Sequence, residues 1–210
     1  MAESPRAWLE RTLLQLMQVV LTAKRNRLIR KHLPPTAMRV GDFGCGHFPN
    51  RHATDLVDSL GSEDVQRGGL GVARGGAGRT FHDLDLNQFP YPFPDGHFDY
   101  LICSHVLEHL EDPVRTCREF SRIAKAGYVE VPYGCIDAFV RNNDVIHLWL
   151  CAADPATGGL RFSHRRTALE AFPPPEISQA LRFLLQFRNL GLTWEGALPA
   201  TYLPPQPPQG

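Results

Sequence analysis

The sequence carries no excess of charge of either sign, because 22 lysine and arginine residues balance 22 aspartate and glutamate residues. Proteins that are dedicated to nucleic-acid binding usually show a basic excess. A nucleic-acid partner is therefore unexpected, although this balance leaves room for a local basic patch.

The five cysteines lack the spacing of a disulfide framework or a zinc site, since their number is odd and no pair forms a C-x-x-C motif. The nine histidines show no metal-ligand spacing either. We therefore predict reduced thiols, a cytoplasmic location, and catalysis without a bound metal.

A long apolar run is also missing. The stretch from Leu13 to Leu21 is interrupted by Gln15 and Gln18 and is too short to cross a bilayer. It also lacks the small-residue cleavage site of a signal peptide. Neither a transmembrane segment nor a signal peptide is predicted.

The sequence does contain alternating helix and strand patterns. Apolar residues at steps of three and four predict an amphipathic helix over residues 5–33. Its basic second half is most simply a solvated face of a helix packed on the domain; the alternative is contact with a membrane surface or an acidic protein partner. Alternating elements after it indicate an α/β domain with a mostly parallel sheet covered by helices on both faces. The predicted elements of this part are strands at 39–43, 55–58, 79–84, 98–103 and 127–131, with a helix at 113–124.

Three parts are predicted along the chain: the helical part at 1–35, a domain at 36–200 with a Gly-rich loop at 61–78, and a Pro-rich, disordered tail at 201–210. The carboxyl-terminal part of the domain is expected to add a β-hairpin and a final helix and strand. These predictions place the hairpin strands at 145–151 and 160–163, the helix at 176–190 with Gly191 as its cap, and the strand at 193–198.

A glycine-rich loop follows the first predicted strand, and acidic residues end or follow the second and third. The first strand runs into Asp42-Phe43-Gly44-Cys45-Gly46, where glycines would let a nucleotide approach the backbone closely. Asp58 ends the second strand, where a carboxylate can accept hydrogen bonds from ribose hydroxyls. Asp83 or Asp85 follows the third strand, where a carboxylate can accept a hydrogen bond from an adenine amino group. Each acid alone is more simply explained as a turn or cap residue. Together they predict a nucleotide-type cofactor.

The segment Val40 to Gly46 resembles motif I of the class I S-adenosylmethionine-dependent methyltransferases. The stretch from Asp85 to His109, with Phe98-Asp99 and Leu107-Glu108-His109, resembles the methyltransferase type 11 group. This resemblance covers residues 39–133 closely and implies a Rossmann-like fold and S-adenosylmethionine as the cofactor. The bulky Phe48, where the family often has glycine, is a departure.

The resemblance also implies roles for particular residues. The methionine end of the cofactor should lie along the motif I residues Asp42, Gly44, Cys45 and Gly46, and the ribose should be held by Asp58. The adenine should lie near Asp85 and Leu86, and the sulfonium side near Ser104 and His105.

Methyl transfer from a sulfonium needs a base only when the acceptor carries a proton. His105 and His147 are the candidate bases, because imidazole titrates near neutral pH. The implied reaction is methylation of a small-molecule or glycan-type acceptor at oxygen or nitrogen. The alternative is a weakly active or inactive methyltransferase-like module that binds a partner protein.

Overall fold

A computed structural model describes residues 5–46, 49–59, 78–138, 146–171 and 188–203. The chain divides into two units, residues 1–33 and residues 34–210. Within the described residues, no helix is both long enough and apolar enough to span a bilayer.

The first unit consists of helix α1, Pro5–His32, which agrees with the predicted span and ends in the basic residues Arg30, Lys31 and His32. The predicted amphipathic character is wrong, because in helical geometry the apolar positions of this segment fall on all sides. Val19 and Val20, for example, are both exposed.

The second unit contains two sheets. The larger has six strands in the order β3-β2-β1-β4-β5-β8, with β8 antiparallel to β5 and all other neighbours parallel. The smaller has the order β6-β7-β9, in which β6 and β7 form the predicted hairpin. The strands are β1 Val40–Phe43, β2 Asp55–Asp58, β3 Thr80–Asp83, β4 Tyr100–Ser104, β5 Ala126–Pro132, β6 Trp149–Ala153, β7 Leu160–His164, β8 Asn189–Glu195 and β9 Ala200–Tyr202.

In the described part of this unit, short helical elements accompany the sheets: a 3-10 helix at Leu107–His109, α2 at Pro113–Ile123, α3 at Gly134–Asp137 and α4 at Arg165–Ala171. Asp112 caps α2 by accepting a hydrogen bond from the Arg115 backbone N–H. The predicted α/β fold with a mostly parallel sheet is confirmed.

Phe43, at the end of β1, lies at the centre of the core. Its ring contacts the rings of Tyr91, Phe93, Phe98 and Phe120 with centroids 5.2–6.2 Å apart. Tilted and edge-on aromatic pairs of this kind add to the stabilisation from burial. The first strand is therefore held rigidly just before the glycine loop.

Two predictions near the carboxyl end are wrong. Asn189 and Leu190, which were expected to end a helix, belong to β8, which pairs with β5 along seven positions. Thr201 and Tyr202, which were expected to begin the disordered tail, belong to β9 and pair with β7. The rest of that helix, most of the Gly-rich loop and residues 204–210 lie outside the described residues.

Candidate cofactor and histidine sites

The carboxyl ends of the parallel strands meet at one edge of the larger sheet. Phe43 is in register with Val57 on one side and with Cys103 on the other, and Cys103 is in register with Val129. The strand order reverses between β1 and β4. In open α/β sheets, ligands bind outside the carboxyl ends of the strands at such a reversal. The structure brings the predicted motif I loop to this point.

Two positions of the loop have backbone conformations that strongly favour glycine. Gly44 and Gly46 have φ angles of 69° and 55°, in the left-handed region. A Cβ on Gly44 would lie 2.2 Å from the side chain of Val106, whereas a Cβ on Gly46 would meet none of the described residues within 4 Å. The loop is closely packed at Gly44 and open at Gly46. Cys45, between them, is buried.

Asp58 fixes this loop from the neighbouring strand. Its carboxylate accepts hydrogen bonds from the backbone N–H of Gly46 at 2.7 Å and of Ser59 at 2.8 Å. Asp42 also has a structural role, since it accepts a 2.6 Å hydrogen bond from the Asn50 backbone.

Asp85 and Leu86 follow β3 as predicted. Asp85 accepts a 2.9 Å hydrogen bond from the Asn87 backbone and a longer one from the Gln88 side chain. The Leu86 side chain belongs to the hydrophobic core, and its carbonyl accepts a hydrogen bond from Tyr91. The role of Asp85 near an adenine stays a prediction, while the side chain of Leu86 serves packing.

His105 follows β4 in a strained conformation, with φ of 57°. Its ring lies between two carboxylates, with Nδ1 3.4 Å from Glu108 and Nε2 3.3 Å from Glu130. Burial lowers the pKa of His105, but the two carboxylates more than offset this and raise it to about 9. His105 is therefore protonated at neutral pH, and this state does not suit the predicted role of a base. The hydroxyl of the adjacent Ser104 is buried and has no hydrogen-bond partner among the residues that the structure describes.

His147 lies just before β6 and is 8% exposed. Its Nδ1 lies 2.9 Å from Asp137, whose carboxylate also accepts a 2.6 Å hydrogen bond from Arg165. All three side chains are buried. This triad orients the imidazole firmly, and burial makes His147 a poor candidate for direct contact with an acceptor.

A cluster that the sequence did not predict consists of Glu108, His109 and His147. One potential ligand atom from each of the three lies within 4.8 Å of those of the other two. Burial raises the pKa of Glu108, but His105 and the other nearby histidines lower it overall. Burial lowers the pKa of His109, which is therefore neutral at pH 7. The sequence showed Glu108 and His109 as neighbours, but not their proximity to His147.

Comparison with protein families gives a match over residues 41–129 to the family described as a methyltransferase domain. Ajmaline N-methyltransferase from Rauvolfia serpentina is 36% identical over 94 residues. These residues cover 41% of this chain and 32% of that relative, so the chain corresponds to about a third of the relative's length.

Among solved structures, a similar one is the complex between the Haloferax volcanii Trm112 methyltransferase activator and the putative methyltransferase. It shows 16% identity, a TM-score of 0.52, and coverage of 91% of this chain and 95% of the other. An S-adenosylmethionine-dependent methyltransferase from Mesorhizobium loti shows 20% identity, a TM-score of 0.40, and coverage of 77% and 78%. The first of these similarities supports the fold.

Proposed function

We propose that this chain, in which residues 41–129 form a class I S-adenosylmethionine-dependent methyltransferase domain, binds that cofactor at the loop Gly44 to Gly46. We further propose that it transfers the methyl group to a small-molecule or glycan-type acceptor at oxygen or nitrogen.

The observation that carries this proposal is the contact between Asp58 and the glycine loop. A carboxylate at the end of β2 lies against the loop after β1, at the reversal of strand order. A carboxylate at the end of this strand can accept hydrogen bonds from the hydroxyls of a ribose. The open space at Gly46 would let the ligand approach the backbone. The residues present therefore suit the cofactor.

The protein's contribution to the reaction is mainly orientation. S-adenosylmethionine supplies a sulfonium methyl group with a good leaving group, so alignment of the acceptor accounts for much of the acceleration. The rigid β1 and the Asp58 contact position the cofactor loop. His105, held by Glu108 and Glu130, can donate a hydrogen bond but is not a proton acceptor in this state. An acceptor that needs no base at this position suits the arrangement best.

Exposed apolar side chains near this edge support a small organic acceptor. Tyr133 follows β5 and is 41% exposed, and Leu148, whose N–H donates to the Glu108 carbonyl, is 38% exposed. Apolar and aromatic surfaces with few polar groups are typical of small-molecule sites. The name of the Rauvolfia relative, an N-methyltransferase, supports nitrogen as one acceptor atom.

Calorimetry with S-adenosylmethionine, S-adenosylhomocysteine and NAD on the purified chain tests the cofactor. We expect binding of the first two only. Asp58→Ala should weaken it by about 10- to 100-fold, the effect of losing hydrogen bonds to a charged group. Asp95→Ala is the matched control, because the Asp95 side chain is 85% exposed and lies outside the loop. Equal affinity of the two variants would contradict the assigned role of Asp58.

Transfer itself is tested with cofactor carrying a labelled methyl group and a panel of hydroxyl and amine acceptors. Incorporation of label identifies the acceptor class. Binding of the cofactor without transfer to any acceptor would instead favour the alternative, a methyltransferase-like module that binds a partner protein. Failure to bind either S-adenosyl compound would refute the proposed enzyme.

A further inference from the structure

Both histidines of the Glu108, His109 and His147 cluster are oriented through one ring nitrogen. His109 Nδ1 lies 2.9 Å from the Ile146 carbonyl oxygen, and His147 Nδ1 lies 2.9 Å from the Asp137 carboxylate. Since each acceptor takes a proton from Nδ1, the neutral tautomer of each ring has an unprotonated Nε2. Two lone pairs are thus available on neighbouring imidazoles, whose centroids are 4.7 Å apart.

Glu108 supplies the third potential ligand of the cluster. Its side chain is 1% exposed, and neither carboxylate oxygen accepts a hydrogen bond within the described residues. The nearest histidine nitrogens, His105 Nδ1 and His109 Nε2, are 3.4 Å and 3.7 Å from its Oε1. The protonated ring of His105 approaches Oε1 without forming a hydrogen bond to it, so among the described residues both oxygens of this buried carboxylate lack the hydrogen bonds that normally accompany burial.

We propose that Glu108, His109 and His147 bind a divalent cation of the zinc class. Two imidazoles and one carboxylate form a known ligand set for zinc in sites that leave a fourth position open. At zinc–ligand distances of about 2.0–2.2 Å, tetrahedral ligand atoms lie about 3.4 Å apart. The three ligand atoms here lie within 4.8 Å of one another, so small rotations of the side chains close the site around an ion.

The surroundings of His147 match those of a metal ligand. A carboxylate that accepts from the second ring nitrogen fixes the tautomer and orientation of a ligating histidine. Asp137 does this for His147 and is itself held by Arg165 through its carboxylate and its carbonyl. The Ile146 carbonyl performs the same task for His109.

This inference does not depend on the proposed methyl transfer, because Asp58 and the glycine loop contribute no ligand. Asp58→Ala should therefore weaken cofactor binding but leave binding of the cation unchanged. The two proposals can fail separately.

The test uses the tag-free, full chain, stripped of metal with a chelator and titrated with zinc by calorimetry. We expect one equivalent of zinc to bind. Substitution with cobalt(II) should give the visible absorption of a site with four or five ligands. X-ray absorption of the zinc form should show two imidazole ligands. Less than stoichiometric binding, or a spectrum without imidazole ligands, would overturn the proposal.

Zinc titrations of variants test whether the ion binds at this cluster. Glu108→Gln and His109→Ala should each abolish stoichiometric binding, and Asp137→Asn should weaken it by about 10- to 100-fold. His164→Ala is the matched control, since His164 is exposed and lies outside the cluster. Circular dichroism checks that every variant is folded. Unchanged zinc affinity in folded Glu108→Gln and His109→Ala would show that the ion binds elsewhere and would refute this site.

Discussion

Replacing Gly44 by alanine tests the structural basis of the cofactor loop. A Cβ at this position meets two separate obstacles. The φ of 69° is unfavourable for an L-residue, and Cγ2 of Val106 would be only 2.2 Å away. Gly46 has a similar φ of 55° but open space where its Cβ would lie. Comparing alanine variants at the two positions therefore separates the conformational cost from the steric cost.

The expected magnitudes follow from these two costs. A left-handed conformation costs alanine about 1–2 kcal/mol relative to glycine, so Gly46→Ala should destabilise the fold by about that amount. Gly44→Ala adds a steric cost of about 1–3 kcal/mol, typical of overpacking. Its total should therefore be about 2–5 kcal/mol. Urea denaturation measures both values as changes in the free energy of unfolding.

A double-mutant cycle identifies the source of the steric cost. Val106→Ala removes the atoms that would clash, so the pair Gly44→Ala and Val106→Ala should show a favourable coupling of about 1–3 kcal/mol. The pair Gly46→Ala and Val106→Ala should be additive. Equal destabilisation by the two glycine variants, or no coupling between Gly44 and Val106, would refute the reasoning.

Two further predictions concern ion pairs. Asp99 accepts a 2.7 Å hydrogen bond from Lys125, and this bond helps to lower the pKa of Asp99 from 3.8 to about 2. The ionised Asp99 therefore stabilises the fold above pH 4, and this stabilisation is lost as the pH falls to 2. After allowance for solvent screening, Asp99→Asn should cost about 1 kcal/mol at pH 7 and nothing at pH 2, by urea denaturation at both. Arg165→Met should lower the free energy of unfolding by about 3–5 kcal/mol, because it removes the guanidinium that pairs with the buried Asp137 carboxylate. Arg166→Met is the control. The Arg166 side chain is 83% exposed, so its loss should change stability by less than about 0.5 kcal/mol. Similar melting temperatures for the two arginine variants would contradict the first value.

The sequence predicted the sheet and the cofactor loop because both depend on local patterns. Glycines after β1 and acids after β2 and β3 are visible in the chain order, and parallel strands bring their carboxyl ends to one edge. Asp58 therefore lies beside Gly46 as expected, and Asp85 lies at the end of β3. A sequence pattern cannot show in which direction a side chain points after a strand. The side chain of Leu86, for example, packs into the hydrophobic core.

The errors arose where tertiary pairing overrode local preference. Residues 189 and 190 continue an apolar helical pattern, yet they form β8 because the edge of β5 offers hydrogen bonds along its whole length. The protonation of His105 could not be read from the sequence for a related reason. An isolated imidazole titrates near pH 6.5, but Glu108 and Glu130 approach it from two different segments and keep it protonated.

The histidine cluster was hidden because only half of it is built locally. Glu108 and His109 are adjacent in the helix Leu107–His109. His147 lies just before β6, where the Leu148 N–H donates to the Glu108 carbonyl and His109 Nδ1 pairs with the Ile146 carbonyl, and these contacts place His147 beside His109. Since hydrogen bonds between distant segments join the two halves, no spacing rule for metal ligands could have revealed them.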